Sequence, residues 1–572
     1  MRGTLIIAAA LLLASAARAE AQSPAPARTE TPCTLPGVGA ARCGTLPVWE
    51  NRAARSGRTI TLHYAVVPAT GAATDDAVVL IAGGPGQAAI SLAEPMVDEV
   101  RALRDTRDIV VMDARGTGTS NLLHCELYGP GLADFLGGFF PAERVRRCAD
   151  EWRGKADLAR YTTDDAADDL DDLRAALGYG RLNLLGTSYG ARTALVYARR
   201  HPANVRALVL HGVVHTGIHM PERLAADAER ALRGVFADCA AAAACRTAFP
   251  APGDDLRVVL ARLDRGAEPV VVADPATGDA ATIPFTRDLF AEGLRSMLYT
   301  ATTSSRIPAV LRQAARGDLS PIAEQTLARR RSLLESSAGV YLSVTCAEDV
   351  PFIVEHVAAE TARGTFMGLS RVRDQRAACE GGPARAVDAS FLQPVRSAAP
   401  VLAITGQWDP VTPPAQADEA LRTLPNGRAL VIPSAGHGYS GVTGVRPCID
   451  PIVERFIRTA DAKSLDTSCL STIHRPPFPM DDVPTRPVSI RADSLAPYAG
   501  SFASPRAGMI ETRVEGGKLH ARFQGRDFIL VHVGQDQFRV LGAPFVILAF
   551  QREGELITGV TVDGAGYTRV ER

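Results

Sequence analysis

Three residue types set far apart along this 572-residue chain could together perform acyl transfer. The first is Ser188, in "GTSYG" at 186–190, where the apolar run "RLNLL" gives way to an Ala-rich amphipathic run ending in His-Pro. A Gly-x-Ser-x-Gly at such a junction fits a strand-to-helix turn so tight that its flanks carry almost no side chain, which presents the serine hydroxyl. A Gly-rich turn that merely holds a serine has the same pattern, so the setting decides. A serine hydroxyl is a poor nucleophile near neutral pH. It needs a base, an acid to orient that base, and donors for the oxyanion. The order that accompanies this kind of turn is Ser, acid, His. Asp409 lies in "VLAITGQWDPVTPP", one loop past an apolar run, and His437 lies in "ALVIPSAGHGYS", one loop past the next. Alone, Asp409 reads as a turn residue and His437 as a loop histidine; together and in order they read as acid and base. The oxyanion donors are expected to be the N–H of Tyr189 and an amide of "AGGPGQ", with Gly83 and Gly84 both open.

These residues need rigid elements behind them. "AVVLIAGGPG", "RDIVVMDARGTG", "RLNLLGTSYG", "VRALVLHGVV", "APVLAITGQWDP" and "RALVIPSAGHG" are short unbroken apolar runs, most of them separated by helical patterns. Unbroken rather than alternating runs indicate strands buried on both faces, hence an α/β fold with a mostly parallel sheet. In such sheets ligands bind beyond the carboxyl ends of the strands, where every one of these motifs sits. About 180 residues between "VLHGVV" and "APVLAITG" lack the alternation and are rich in helical pattern, which reads as an inserted helical cap. After a Pro-rich stretch, "MIETRVEGGKLHARF" alternates around a Gly-Gly turn and similar runs follow, the signature of a small antiparallel β-domain. The expected division is a leader at 1–21, a core at 22–215 and 396–472, a cap at 216–395, a linker at 473–486 and the β-domain at 487–572.

The N-terminus has Arg2, an apolar stretch and small-x-small sites that place a cleavage before Glu20 or Gln22, so a cleaved signal peptide and a secreted or periplasmic location are expected. No later stretch reaches 18 unbroken apolar residues, so no membrane span is expected. The ten cysteines form no C-x-x-C, and an oxidising compartment would let them pair. Sequential pairing (Cys33–Cys43, Cys125–Cys148, Cys239–Cys245, Cys346–Cys379, Cys448–Cys469) closes each loop locally; free buried thiols are the alternative. A net charge of −1 argues against nucleic acid as a partner. The run "TTDDAADDLDDL" reads as a solvated helix start with its aspartates near the positive dipole end.

"GGPG", "VVMDARGTGTS", "GTSYG", "GQWDPVTP" and "GHG" occur in the order and at the distances found in α/β-hydrolases, and the chain resembles the proline iminopeptidase and tripeptidyl aminopeptidase family of serine exopeptidases over roughly residues 40–470. The resemblance implies an α/β-hydrolase core with a helical cap, no cofactor and no metal, short peptide substrates, and release of residues from peptide N-termini. Carried over, Ser188 is nucleophile, Asp409 the orienting acid and His437 the base, while Asp113 and Arg115 look like a structural pair bracing the oxyanion loop. Two departures blur the substrate class: Ala82 stands where the family commonly has His, and "LHGVVHTGIH" replaces Leu-Asp-Gly-Val. His211, His215 and His219, four apart, would stack as metal ligands only on a helix, and Gly212 and Gly217 argue for strand and loop. An ammonium brought into a covered pocket must be paired, and in similar enzymes acidic cap residues do this, which points to Glu348 and Asp349 of "SVTCAEDVPF" as substrate-binding residues; a solvated cap carboxylate is the alternative. "LAPYAGSF" resembles the start of a small β-barrel domain that trails some secreted serine hydrolases related to β-lactamases. The expectation is an exported serine aminopeptidase, with a carboxylesterase on the same core, or a non-catalytic binding protein, as rivals. Oligomeric state stays open.

Overall fold

The unbroken apolar runs form one nine-stranded sheet. In chain order the core strands are β1 (Thr29–Leu35), β2 (Gly39–Trp49), β3 (Thr59–Val67), β4 (Val78–Ile81), β5 (Ile109–Met112), β6 (Leu182–Thr187) and β7 (Val205–His211). A hairpin, β8 (Glu268–Ala273) and β9 (Ala280–Phe285), lies apart from the sheet, and β10 (Val401–Gly406) and β11 (Gly427–Ile432) complete it. The computed structural model describes residues 28–380, 385–505, 507–562 and 564–570, so the leader and cleavage site expected at 1–21 lie outside the described residues.

The strand order is β1-β2-β3-β5-β4-β6-β7-β10-β11. β1 to β3 and the β3–β5 pair are antiparallel, and all pairs from β5 across to β11 are parallel. The chain leaves β4 toward β5 on one side and reaches β6 on the other, so the strand order reverses at β4. A crevice opens beyond the carboxyl ends of strands at such a reversal. Both faces of the sheet are covered, one by Val97, Ile452 and Phe456 among others, the other by Leu170, Leu173 and the helix Tyr189–Arg200.

Between β7 and β10 the chain builds a helical layer, from Leu224–Ala241 to Ser370–Cys379. Its apolar residues form a core of their own around Phe290, Leu294, Leu311 and Ile322. Eight antiparallel strands, from Gly500–Ser504 to Ala565–Val570, close into a barrel around Phe502, Phe538 and Phe550. The barrel is fastened to the helical layer. Fully buried Arg539 pairs with Glu324 on the helix Ser320–Leu333 and donates to the Thr485 carbonyl (2.9 Å). The ten cysteines form the five sequential disulfides, with no free thiol among the described residues. No described helix is long and apolar enough to cross a membrane.

Candidate active site

Ser188 sits in the first residue after β6 and caps the helix Tyr189–Arg200 with φ 57° and ψ −117°. A side chain in that region of backbone space is strained, and it persists only where the surroundings enforce it. Here they do. The Ser188 N–H donates to the His211 carbonyl at the end of β7 (2.7 Å). The two motif glycines are required by close approach: a Cβ on Gly186 would stand 2.2 Å from the Gly190 carbonyl oxygen, and one on Gly190 2.3 Å from that of Ile81. The Gly-x-Ser-x-Gly is therefore a packing requirement as well as a turn.

The loop after β4 lies against the serine. A Cβ on Gly83 would come 3.2 Å from Ser188 Cβ and 2.8 Å from the Thr187 carbonyl. Gly83 is buried and Gly84 exposed, with φ 113°. The loop is tied to the cap by the Ser337 N–H, which donates to Gly86 O (2.8 Å). Asp113 braces it from below, accepting from the Ile90 (2.9 Å) and Thr119 (3.2 Å) N–H groups. Arg115 is not its partner: both guanidinium arms go to Asp169 (2.7 Å each) on the helix Thr163–Leu177. That corrects two expectations. The Asp113–Arg115 pair does not exist, and the acidic run is only partly solvated, since Asp169 is fully buried and Asp168 and Asp171 face Arg200, His201 and Arg174. A burial cost of that size needs a fixed counter-charge, and the arginine supplies it.

Asp409 and His437 meet. The His437 Nδ1–H donates to Asp409 Oδ2 (2.8 Å), and Asp409 also accepts from Val411 N, Thr412 N and Thr412 Oγ1 (2.8 Å each). Burial alone would raise the Asp409 carboxyl, but His437 and these donors outweigh it and hold it below the ordinary range. Burial would likewise lower the His437 imidazole, and the Asp409 charge outweighs it, leaving the ring above the ordinary 6.5. The ring lies over Gly212, where a Cβ would stand 3.1 Å from Cε1. Ser188 is tied to His211 and His437 packs on Gly212, so the two converge on one dipeptide at the end of β7. No hydrogen bond joins the Ser188 hydroxyl to His437 among the described residues; such bonds often close only around substrate.

Sequence reasoning missed Thr412, Arg192 and Tyr299. Thr412 is three residues past Asp409 and locks its second oxygen. Arg192, on the helix behind Ser188, donates to Asp349 (2.9 Å) and lies 3.5 Å from Glu348. Glu348 also accepts from the Thr163 N–H and hydroxyl (2.6 Å each), and that hydroxyl meets the Tyr189 phenol (3.0 Å). Both carboxylates are buried. They tie the helix Ala338–Glu348 to the one behind Ser188, so Arg192 and Thr163 engage the two carboxylates expected to meet a substrate ammonium. Burial raises Glu348 to about 7 despite Arg192. The three histidines part company: His211 faces Glu99 (2.7 Å), His215 faces Glu419 (3.3 Å) and His219 packs on Phe352 (5.8 Å between rings). No group of three metal-type ligands exists among the described residues.

Residues 76–248 match the family profile of the alpha/beta hydrolase fold, and residues 366–469 that of TAP-like proteins. The serine protease Hip1 of Mycobacterium tuberculosis is 33% identical over 225 residues, 36% of this chain and 43% of that protein. The match thus spans less than half of that relative. A tripeptidyl aminopeptidase of Streptomyces lividans is 26% identical over 75% of this chain and 83% of its own. A proline iminopeptidase of Xylella fastidiosa is 35% identical over 15% of this chain and 29% of its own. With the sheet order, the strained serine and these matches together, the chain has the α/β-hydrolase fold and resembles the serine peptidases built on it.

Proposed function

We propose that the protein is an exported serine hydrolase that releases residues or short peptides from peptide N-termini. The Asp409–His437 hydrogen bond beside the strained Ser188 is the observation that carries this reading. His437 Nε2 takes the Ser188 proton as Oγ attacks the carbonyl carbon, and the Tyr189 N–H with the Gly83–Gly84 loop receives the oxyanion. Collapse breaks the amide bond, His437 returns the proton to the leaving amine, and an ester to Ser188 remains. Water, deprotonated by the same imidazole, then hydrolyses it. The five disulfides support an oxidising compartment, and the tripeptidyl aminopeptidase and iminopeptidase relatives support the peptide substrate.

One observation favours a second reading, an acyl hydrolase acting on esters. Glu348 and Asp349, the carboxylates expected to hold a substrate ammonium, are engaged by Arg192 and Thr163. A panel of aminoacyl- and tripeptidyl-arylamides set against arylesters separates the two. Amide turnover requiring a free N-terminus is the expected result; ester turnover with none on any amide removes the peptidase reading.

A further inference from the structure

Beside the candidate site lie two buried guanidinium groups, Arg295 and Arg371, and a half-buried third, Arg329. Tyr299 meets His437 edge to face, with ring centroids 5.4 Å apart. Two guanidinium groups lie against the other parts of that ring, Arg295 at 5.3 Å and Arg329 at 5.4 Å. Arg295, 3% exposed, donates to the Tyr299 phenol (2.9 Å), and its Nε finds no acceptor. Arg371, 9% exposed, packs on the Phe139 and Phe140 rings and reaches the Tyr341 phenol (3.4 Å), with Nε and Nη1 unmatched. Arg329 makes one long contact to Ser332 of its own helix (3.5 Å) and its Nε is also unmatched. Among the described residues none of the three has a carboxylate at ion-pair distance. The nearby Glu292 is held by Arg330 (2.6 Å), and Asp374 accepts from the Phe139 N–H (2.8 Å) and lies near Arg373 (3.3 Å).

Arg329 is the one of the three that lines a cavity of about 370 Å³, together with Gly84, Pro85 and Gln87 of the loop beside Ser188, the Phe140 and Tyr341 side chains that Arg371 contacts, and one carboxylate, Glu335, which makes no ion pair with Arg329 among the described residues. Burying cations without a partner is costly, and a guanidinium fork matches a carboxylate bidentately. The geometry points to a carboxylate-binding subsite here: Arg329, with the uncompensated charges of Arg295 and Arg371 behind Tyr299 and the Phe140 and Tyr341 rings, receives a free carboxylate of the substrate while its scissile carbonyl lies at Ser188. This rests on the hydrolase reading above and narrows its substrate class to short acidic peptides or peptides with a free C-terminus. Burial would raise the Tyr299 phenol, but Arg295 and Arg329 beside it pull it down to about 7.

The test uses the full-length protein. Ala-Ala-Ala, Ala-Ala-Ala-amide and Ala-Glu-Ala-amide compete against fluorophosphonate labelling of Ser188, and their effect on melting temperature reads binding without the label. Charge-assisted hydrogen bonds of this kind are worth about tenfold or more in affinity. Protection by a carboxylate-bearing peptide at about tenfold lower concentration than by Ala-Ala-Ala-amide is expected, with that ratio falling toward one in Arg329→Gln and in Arg371→Gln and partly restored by Arg329→Lys. Preference for Ala-Ala-Ala assigns the anion to the C-terminus; preference for Ala-Glu-Ala-amide assigns it to a side chain. Equal protection by all three peptides, or a preference untouched by both Gln substitutions, overturns the subsite. An unlabelled Ser188 would retire the hydrolase reading, while the melting shifts still decide the subsite.

Discussion

Replacing Asp409 with asparagine isolates the electrostatic part of the site from its shape. Asp409 is 1% exposed and takes four donors, two backbone N–H groups at Oδ1 and the Thr412 hydroxyl with His437 Nδ1 at Oδ2. An asparagine keeps its single carbonyl oxygen where the two N–H groups need it, so its NH₂ faces Thr412 and His437. That amide donates to Nδ1, which moves the imidazole proton to Nε2, the nitrogen that must accept from Ser188. The negative charge that favours the imidazolium is lost in the same change. Together these correspond to roughly 10³–10⁴-fold in kcat, or about 4–5.5 kcal/mol. The assay is kcat on the best substrate of the amide and ester panel, with circular dichroism and melting temperature as controls. The reasoning is refuted by a correctly folded Asp409→Asn protein whose kcat stays within about tenfold of the parent.

Three further outcomes follow from the same geometry. In the proposed mechanism the neutral imidazole is the base, and Asp409 holds His437 above 6.5, so kcat/KM should fall as pH drops through a midpoint above 6.5, measurable in a pH–rate profile; in the stability ledger the sign is opposite, since a raised histidine contributes below 6.5 and loses that contribution as pH rises through its folded value. Gly190→Ala pushes a methyl into the Ile81 carbonyl and should lower the melting temperature along with activity, whereas alanine at Gly566, where a Cβ meets nothing within 4 Å, should leave both intact. Arg192→Leu removes the cation shared by two buried carboxylates and should cost about 3–5 kcal/mol by denaturant titration, with the loss greatest where Glu348 and Asp349 ionise.

What the sequence made legible is what sits at strand ends. Ser188, Asp409 and His437 each follow an unbroken apolar run by one turn or loop, and a parallel sheet lines such ends up along one rim, so local pattern carried long-range information. The barrel was readable for the same kind of reason, since alternation with Gly turns is a local signal. Contacts across layers were not. Arg192 lies on a helix whose other residues read as ordinary packing, and nothing local says that its charge meets Glu348 and Asp349, some 157 residues on in the case of Asp349. Arg115 sits two residues from Asp113 yet pairs with Asp169, because backbone N–H groups satisfy Asp113 first. Arg295, Arg329 and Arg371 come from three separate helices between β7 and β10, so no window of sequence contains the group.

The most direct measurement is mass-spectrometric mapping of a fluorophosphonate adduct on the intact protein and on His437→Ala. A single adduct on Ser188, its rate falling by several orders of magnitude when the imidazole is removed, is the expected result. Labelling that is absent, lands on another residue, or proceeds at the same rate without His437 would contradict a nucleophile activated at the end of β6.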